Sequence, residues 1–235
     1  MFKMIEIENL SKHFGRTKAV DQISLQIKKG EFFCFLGPNG AGKTTTIKLI
    51  CGLLKPTSGF IKIGGIDIRK EPILAKKLLG YIPDQPYLYE KLTPTEFLRF
   101  IADLYDVSDD GQKLLDLFEM AEYKHTLIEE FSHGMRQRIA FCATLIHSPE
   151  VIVIDEPMVG LDPKSVYLVK RILKERSKEG VTIFLSTHAL SLAEELSDRV
   201  GIIHKGRLIA DDSVECLKEM SKADKFEDLF LELTQ

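Results

Sequence analysis

The stretch Gly37-Pro38-Asn39-Gly40-Ala41-Gly42-Lys43-Thr44-Thr45 constrains this chain more than any other. It fits G-x-x-x-x-G-K-[ST], the pattern of a loop that cradles phosphate. The flanks agree. Phe32-Phe33-Cys34-Phe35-Leu36 before it is a continuous apolar run, which reads as a fully buried strand. After it Ile47, Ile50 and Leu54 recur at helical spacing, and Pro56 is expected to stop that helix. Strand, glycine loop and helix in that order aim backbone N–H groups and a helix N-terminus at an anion. Glycine is needed where a Cβ would block close approach or where φ must be positive. In that geometry Lys43 reaches the β- and γ-phosphates of a nucleotide, and the Thr44 hydroxyl reaches Mg²⁺.

A chain of 235 residues suits one large domain, or one core with a subdomain. An apolar content of 44% with 29% charged residues is that of a soluble globular protein with a sizeable core. The net charge of −3 gives no support for bulk binding to nucleic acid or to an anionic membrane. The cysteines, Cys34, Cys51, Cys142 and Cys216, are scattered and form no C-x-x-C pair. They read as reduced thiols acting as small apolar residues, which suits a cytosolic setting. Cysteine and histidine spacing suggests no metal site. Met1-Phe2-Lys3-Met4 lacks a signal-peptide apolar core. No apolar run approaches the ~18–20 residues of a membrane helix, so a membrane role would need another chain to supply the span.

Met4 to Leu10 alternates apolar and polar residues, as does Ile23 to Lys28, and Phe60 to Ile63 ends in Gly64-Gly65. These read as half-buried strands of a small antiparallel sheet. Lys12-His13-Phe14-Gly15-Arg16 reads as a loop with an aromatic at its tip. Leu79 to Pro83 is a brief apolar run broken by Asp84-Gln85-Pro86. From Thr93 the pattern is helical: Thr93 as N-cap, Pro94 in the first position and Glu96 completing a capping box. After a linker at Ser108–Gly111, Leu114 to Met120 makes a second helix. Residues 86–147 therefore read as a helical subdomain inserted in an α/β core formed by 1–85 and 148–210. A charged, helical tail is expected over 211–235. Val151 to Ile154 and Val181 to Ser186 read as strands covered on both faces. Val166 to Lys178 and Leu190 to Leu196 read as helices, and Val200 to Ala210 as a hairpin.

Two further constellations carry chemistry. Val151-Ile152-Val153-Ile154 runs into Asp155-Glu156, two carboxylates at the end of a buried strand. Beside a phosphate loop, Asp155 would enter the Mg²⁺ shell. Glu156, pointing elsewhere, could orient or deprotonate the attacking water. Phe131-Ser132-His133-Gly134-Met135 is a helix start with Ser132 as N-cap. A hydroxyl, a glycine and a helix N-terminus make a second phosphate cradle. One γ-phosphate does not need two cradles on one chain, so the second would serve a nucleotide bound by another copy. Taken alone, it could equally be a capped helix without a function.

In this order (the glycine loop at 37–45, Ser-x-Gly at 132–134, Asp155-Glu156, Gly160-Leu161-Asp162, then His188) the chain resembles the ATP-binding subunits of ABC transporters over nearly its full length. The resemblance implies a phosphate-loop (RecA-like) ATPase core, α/β in class, with an N-terminal antiparallel β subdomain and an inserted α-helical subdomain. It implies ATP and Mg²⁺ as ligands and a head-to-tail pair, either a homodimer or a paired ABC subunit. Its partner would be an integral-membrane permease on a separate chain, placing this subunit in the cytoplasm, peripheral on the inner face of the membrane, with no nucleic-acid partner. Phe131 to Met135 resembles the family's Leu-Ser-Gly-Gly-Gln signature, with His133 and Met135 as departures. Ser132 and Gly134 would contact the γ-phosphate across the dimer. Gly160-Leu161-Asp162 resembles the loop joining the two sites, His188 the switch histidine that supports Glu156, and Phe14 the aromatic that stacks on adenine. Where relatives carry Gln directly after the proline of Tyr81-Ile82-Pro83, this chain has Asp84, with Gln85 following. Either could approach Mg²⁺ or the water, and Asp84 looks like a drug-export subgroup. Tyr87-Leu88-Tyr89 stands where the permease groove begins, as binding residues or as packing for the helical insert. The alternatives are a soluble non-transport ABC ATPase acting on nucleic acid or ribosomes, and a pseudo-ATPase. The first lacks support because the chain has one cassette, no long heptads and no basic patch, the second because Lys43, Asp155, Glu156 and His188 are intact.

Overall fold

The computed structural model describes residues 2–158, 160–221 and 225–234. The strands are β1 (Lys3–Phe14), β2 (Thr17–Lys28), β3 (Phe32–Leu36), β4 (Ser58–Ile63), β5 (Ile66–Asp67), β6 (Leu79–Ile82), β7 (Val151–Asp155), β8 (Thr182–Thr187), β9 (Arg199–His204) and β10 (Arg207–Asp212). The helices are α1 (Lys43–Ile50), α2 (Pro72–Lys77), α3 (Pro94–Tyr105), α4 (Gln112–Leu117), α5 (His133–Leu145), α6 (Pro163–Lys178), α7 (Leu190–Leu196), α8 (Val214–Ser221) and α9 (Phe226–Thr234).

The middle strand β3 separates two cores. Successive side chains of a strand point to opposite faces. Phe32, Cys34 and Leu36 join one apolar cluster with Ile152, Ile154, Ile183 and Leu185, covered by helices. Phe33 and Phe35 join the other, with Val153, Phe184 and the antiparallel sheet. There Phe35 and Phe184 lie 5.4 Å apart and Phe33 and Phe184 5.6 Å, tilted. Because both faces are covered, β3, β7 and β8 carry apolar runs without alternation. Truncating one of these fully buried rings to alanine would cost about 3–5 kcal/mol.

The antiparallel sheet has the order β2-β1-β4-β5, and the larger sheet β10-β9-β3-β8-β7-β6. The larger one is parallel except for the β9–β10 hairpin. The α/β class, the phosphate-loop core and the separate antiparallel β part thus match the sequence reading. Strands β3, β8 and β7 are neighbours and run the same way. The loops that leave their C-terminal ends therefore meet at one sheet edge. Those ends carry Gly37, His188 and Asp155-Glu156.

Several details differ from the sequence reading. Lys12-His13-Phe14 is strand: β1 continues to Phe14 and turns in two residues, with Gly15 at φ 58°. Alternation fades near Leu10 because the pairing shifts register between Ile7 and Leu10, with Asn9 at φ 47°. Helix α1 ends at Ile50 rather than at Pro56. Gly52 (φ 63°) donates to Leu49 O and Leu53 to Lys48 O, a Schellman closure that a non-glycine residue would strain. Helix α6 begins three residues early, at Pro163 behind the N-cap Asp162. Asp211 belongs to β10, where the Arg199 guanidinium holds it, and the helical tail starts at Val214. The sequence reading missed α2 altogether and left Leu79–Ile82 unassigned. That run is β6, where Gly80 lets α5 approach: a Cβ there would sit 2.5 Å from Thr144 Cγ2.

Local signals otherwise hold. Thr93 and Glu96 form the reciprocal capping box of α3, and Ser132 caps α5. Helices α3, α4 and α5 pack through Leu98, Leu115, Phe118 and Phe141, with Phe118 stacked on Phe141 at 5.5 Å. The Cys34, Cys51 and Cys142 thiols are buried and free, and burial pushes Cys34 up to about 12. Such thiols stay protonated and serve as core, as the sequence suggested.

Candidate functional site

The phosphate loop is shaped by its glycines. Gly42 adopts φ 111°, and a Cβ on it would stand 2.4 Å from Ala19 O of β2. A Cβ on Gly37 would stand 2.5 Å from Ile203 O of β9. Ala41 donates to Pro38 O at 3.2 Å and accepts from Gly206 N–H at 2.9 Å, so the β9–β10 turn buttresses the loop. Gly40 (φ 78°) has open space around it, and Asn39 beside it is exposed. Thr44 is exposed and Thr45 half-buried on the first turn of α1.

Lys43 folds under the loop, 6% exposed, and donates from Nζ to Gly37 O at 2.7 Å and to Pro38 O at 3.3 Å. The same ammonium lies 3.4 Å from Glu156 Oε1. Glu156 Oε2 is in turn 2.9 Å from His188 Nδ1. One chain of polar contacts thus runs Lys43–Glu156–His188 along the sheet edge. It depends on backbone that the sequence did not announce. Glu156 sits at φ 50°, uncommon for a residue with a Cβ, and its N–H donates to Ser186 O at 3.1 Å. Asp155 keeps ordinary strand geometry, is 2% exposed, and accepts from Ser186 Oγ at 2.5 Å. The turn between the two carboxylates sends them to different partners. Ser186 is the contributor that sequence reasoning missed. Its only signal was a hydroxyl residue following the apolar run Ile183–Leu185.

A second group gathers at the start of α5 and α6. Ser132 Oγ accepts from Met135 N–H at 3.3 Å, and Gly134 faces Leu161 and Asp162. Asp162 Oδ1 accepts from the N–H groups of Lys164 and Ser165 at 3.0 Å each. Its other oxygen accepts from Ser165 Oγ at 2.5 Å, and Arg138 donates to that hydroxyl at 2.8 Å. The Ser165 hydroxyl, then the backbone N–H groups, hold the Asp162 carboxyl below the usual range. His133 sits in the first helical position without positive φ. Its ring packs on Gly160, where a Cβ would come 3.3 Å from Cδ2. Among the described residues no hydrogen bond joins this group to the Lys43–Glu156–His188 chain.

The remaining candidates lie outside both groups. Phe14 ends β1, 50% exposed, with Lys12 Nζ 5.0 Å from its ring centre. Asp84 and Gln85 are exposed in the loop after β6. Tyr87 and Tyr89 are both exposed but differ in their contacts. Tyr89 packs edge-on to Phe97 at 6.0 Å and Phe100 at 5.4 Å. Tyr87 is 90% exposed at the rim of a groove of about 370 Å³. Leu79, Tyr81, Leu104, Tyr105 and His147 also line that groove, with His147 stacked on Tyr105 at 3.9 Å.

Residues 20–159 match the family described as ABC transporter. The chain is 40% identical over 212 residues to the linearmycin resistance ATP-binding protein LnrL of Bacillus subtilis, covering 88% of this chain and 68% of that one. It is 37% identical over 225 residues to the bacitracin transport ATP-binding protein BcrA of Bacillus licheniformis, covering 94% and 74%. A solved structure described as the ATP-binding subunit of an ABC transporter superposes with a TM-score of 0.93 at 32% identity, over 99% of this chain and 100% of that chain. With a glycine cradle, an invading lysine and a carboxylate–imidazole pair at one sheet edge, the chain belongs to the ABC transporter family as one of its ATP-binding, ATP-hydrolysing subunits.

Proposed function

We propose that this subunit powers export by a separate membrane permease, through head-to-tail pairing of two ATP-binding subunits. Each ATP would lie between Gly37–Thr45 of one subunit and Ser132–Gly134 of the other. The observation that carries this is the Lys43–Glu156–His188 chain beside the glycine cradle. On ATP binding Lys43 would exchange its carbonyl and carboxylate partners for the β- and γ-phosphates. Glu156, released from Lys43 and oriented by His188, takes a proton from water as its oxygen attacks the γ-phosphorus. The bond to the bridging oxygen breaks and ADP leaves. The donor set suits Mg²⁺: the buried Asp155 carboxylate and the exposed Thr44 hydroxyl would hold it, with Asp84 or Gln85 alongside. When bound, the ion neutralises charge on the phosphates.

Phe14, an exposed π face at the end of the β1 hairpin, would stack on adenine. Asp162 would communicate between the two nucleotides through Gly134, which it faces. The groove rimmed by Tyr87 would receive the permease. Among the described residues no helix is long and apolar enough to cross a membrane, so the span would come from that partner. The subunit would then work peripherally on the inner face. The export direction rests on Asp84 and on the linearmycin-resistance and bacitracin-transport relatives.

Phosphate release by the wild type and by Glu156→Gln tests the assignment. The variant should lose about 10²–10⁴-fold in turnover while still binding ATP. Undiminished turnover would remove Glu156 from its role.

A further inference from the structure

We propose that the segment Arg69 to Lys77 is a docking patch for the anionic surface of a lipid bilayer. Helix α2 is anchored to the core mainly by Ala75, which is fully buried. Around that anchor the other residues from Glu71 to Lys77 are exposed. Ile73 is 73% exposed and Leu74 50%, and Leu53, after α1, is 54% exposed. Arg69, Lys70, Lys76 and Lys77 are exposed around these apolar tips, with Glu71 as the only carboxylate within the segment. Four cations against one carboxylate give a local charge of +3 on a chain whose net charge is −3. The basic character is therefore invisible in the overall composition, and it corrects the expectation of no basic patch.

These cations are not committed elsewhere. Arg69 Nε is 3.8 Å from Asp67 Oδ1, a long contact. Among the described residues, no carboxylate lies within ion-pair distance of Lys70, Lys76 or Lys77. Lys55 is exposed on the neighbouring wall of a cleft of about 430 Å³ that Arg69 and Pro72 also line.

The chemistry selects the occupant. An exposed isoleucine and leucine on a short helix, flanked in sequence by long cationic side chains, fit an interface that is apolar below and anionic at the surface. Neither signal suffices alone: two exposed aliphatic side chains bury little area, and charge alone is screened by salt. Together they give reversible adhesion. Position agrees, since Leu53 and Lys76 also line the groove rimmed by Tyr87. The patch thus borders the face assigned to the permease, and its orientation toward the bilayer rests on that assignment.

The test is co-sedimentation of the full chain, without ATP or permease, with vesicles of equal parts phosphatidylglycerol and phosphatidylcholine. Pure phosphatidylcholine vesicles are the control. The wild type should bind the mixed vesicles, lose most of that binding in high salt, and leave the control unbound. At about 1 kcal/mol for each cation near the surface, Lys70→Gln/Lys77→Gln should weaken partitioning roughly 30-fold. Lys70→Arg/Lys77→Arg should restore it, and Ile73→Ser should weaken it with the charge unchanged. Matching thermal midpoints would show that the variants fold. No binding to the mixed vesicles, or equal binding by wild type and Lys70→Gln/Lys77→Gln, would overturn the proposal. An acidic surface on a protein partner would then be what the patch fits. Since no permease is present, a failed permease assignment would leave this result standing.

Discussion

The two regions proposed to hold phosphate in this chain are built on opposite principles. Around Lys43 the charged groups are already engaged: ammonium to carbonyls and Glu156, Glu156 to His188, Asp155 to Ser186. Around Ser132 the groups cap helix ends, with Arg138 of α5 donating to Ser165 of α6. The Ser132 hydroxyl caps α5, and Asp162 caps α6. The first region has chemistry that one chain can explain. The second has the local order of a capped helix pair, and under the proposed pairing its exposed N-terminus would meet a nucleotide held by another subunit. Stability and function are thus separable in the second region and entangled in the first.

Perturbing His188 should produce the largest contrast. His188→Ala removes the imidazole that faces Glu156 while sparing the glycine cradle. Turnover should fall on the order of 10²-fold, as for loss of one preorganised electrostatic partner, with ATP affinity nearly unchanged. A parallel fall in affinity would mean that His188 supports the cradle as a whole. Lys43→Ala should act on affinity instead. Losing a charge-assisted contact worth about 1.5–3 kcal/mol predicts ATP binding weaker by roughly 10–100-fold, measurable by calorimetry. Equal binding would show that the backbone amides suffice. Ser132→Ala should leave ATP binding by a single subunit intact. It should weaken ATP-driven association about tenfold, read by light scattering in the Glu156→Gln background. If Ser132→Ala instead lowers ATP affinity of the isolated subunit, the second region belongs to the same nucleotide as the first.

The same division explains what could be read in the sequence. The glycine loop, the buried strand before it, Asp155-Glu156 and the capped starts at Thr93 and Ser132 are local patterns, each fixed by residue type at a set spacing. What escaped depends on neighbours distant in the chain. The Glu156 backbone at φ 50° is held by Ser186, and Gly80 matters only because Thr144 of α5 lies against it. Helix α2 has a single buried residue, so no apolar stripe marks it. The hairpin at Phe14 was hidden by bulges that break period-two alternation. Asp162 was legible as a family motif but not as the N-cap that starts α6 ahead of its first apolar position.

The smallest expected effect separates the two regions by pH. Asp162 is held below the ordinary carboxylate range by the Ser165 hydroxyl and then by backbone N–H groups. A carboxyl depressed in the folded state adds stability that is complete above its unfolded value, near pH 4, and is lost as pH falls through the folded one. Asp162→Asn keeps an N-cap acceptor without the charge. The wild type should therefore melt higher than Asp162→Asn at neutral pH, and the gap should close as the pH is taken below about 4. A gap that stays constant across that range would mean that the carboxylate charge contributes nothing and that the cap is purely a matter of shape. Because the Lys43–Glu156–His188 chain has no hydrogen bond to Asp162, the ATP affinity of the isolated subunit at neutral pH should be the same in both proteins. A shared loss of affinity would join two regions that the fold keeps apart.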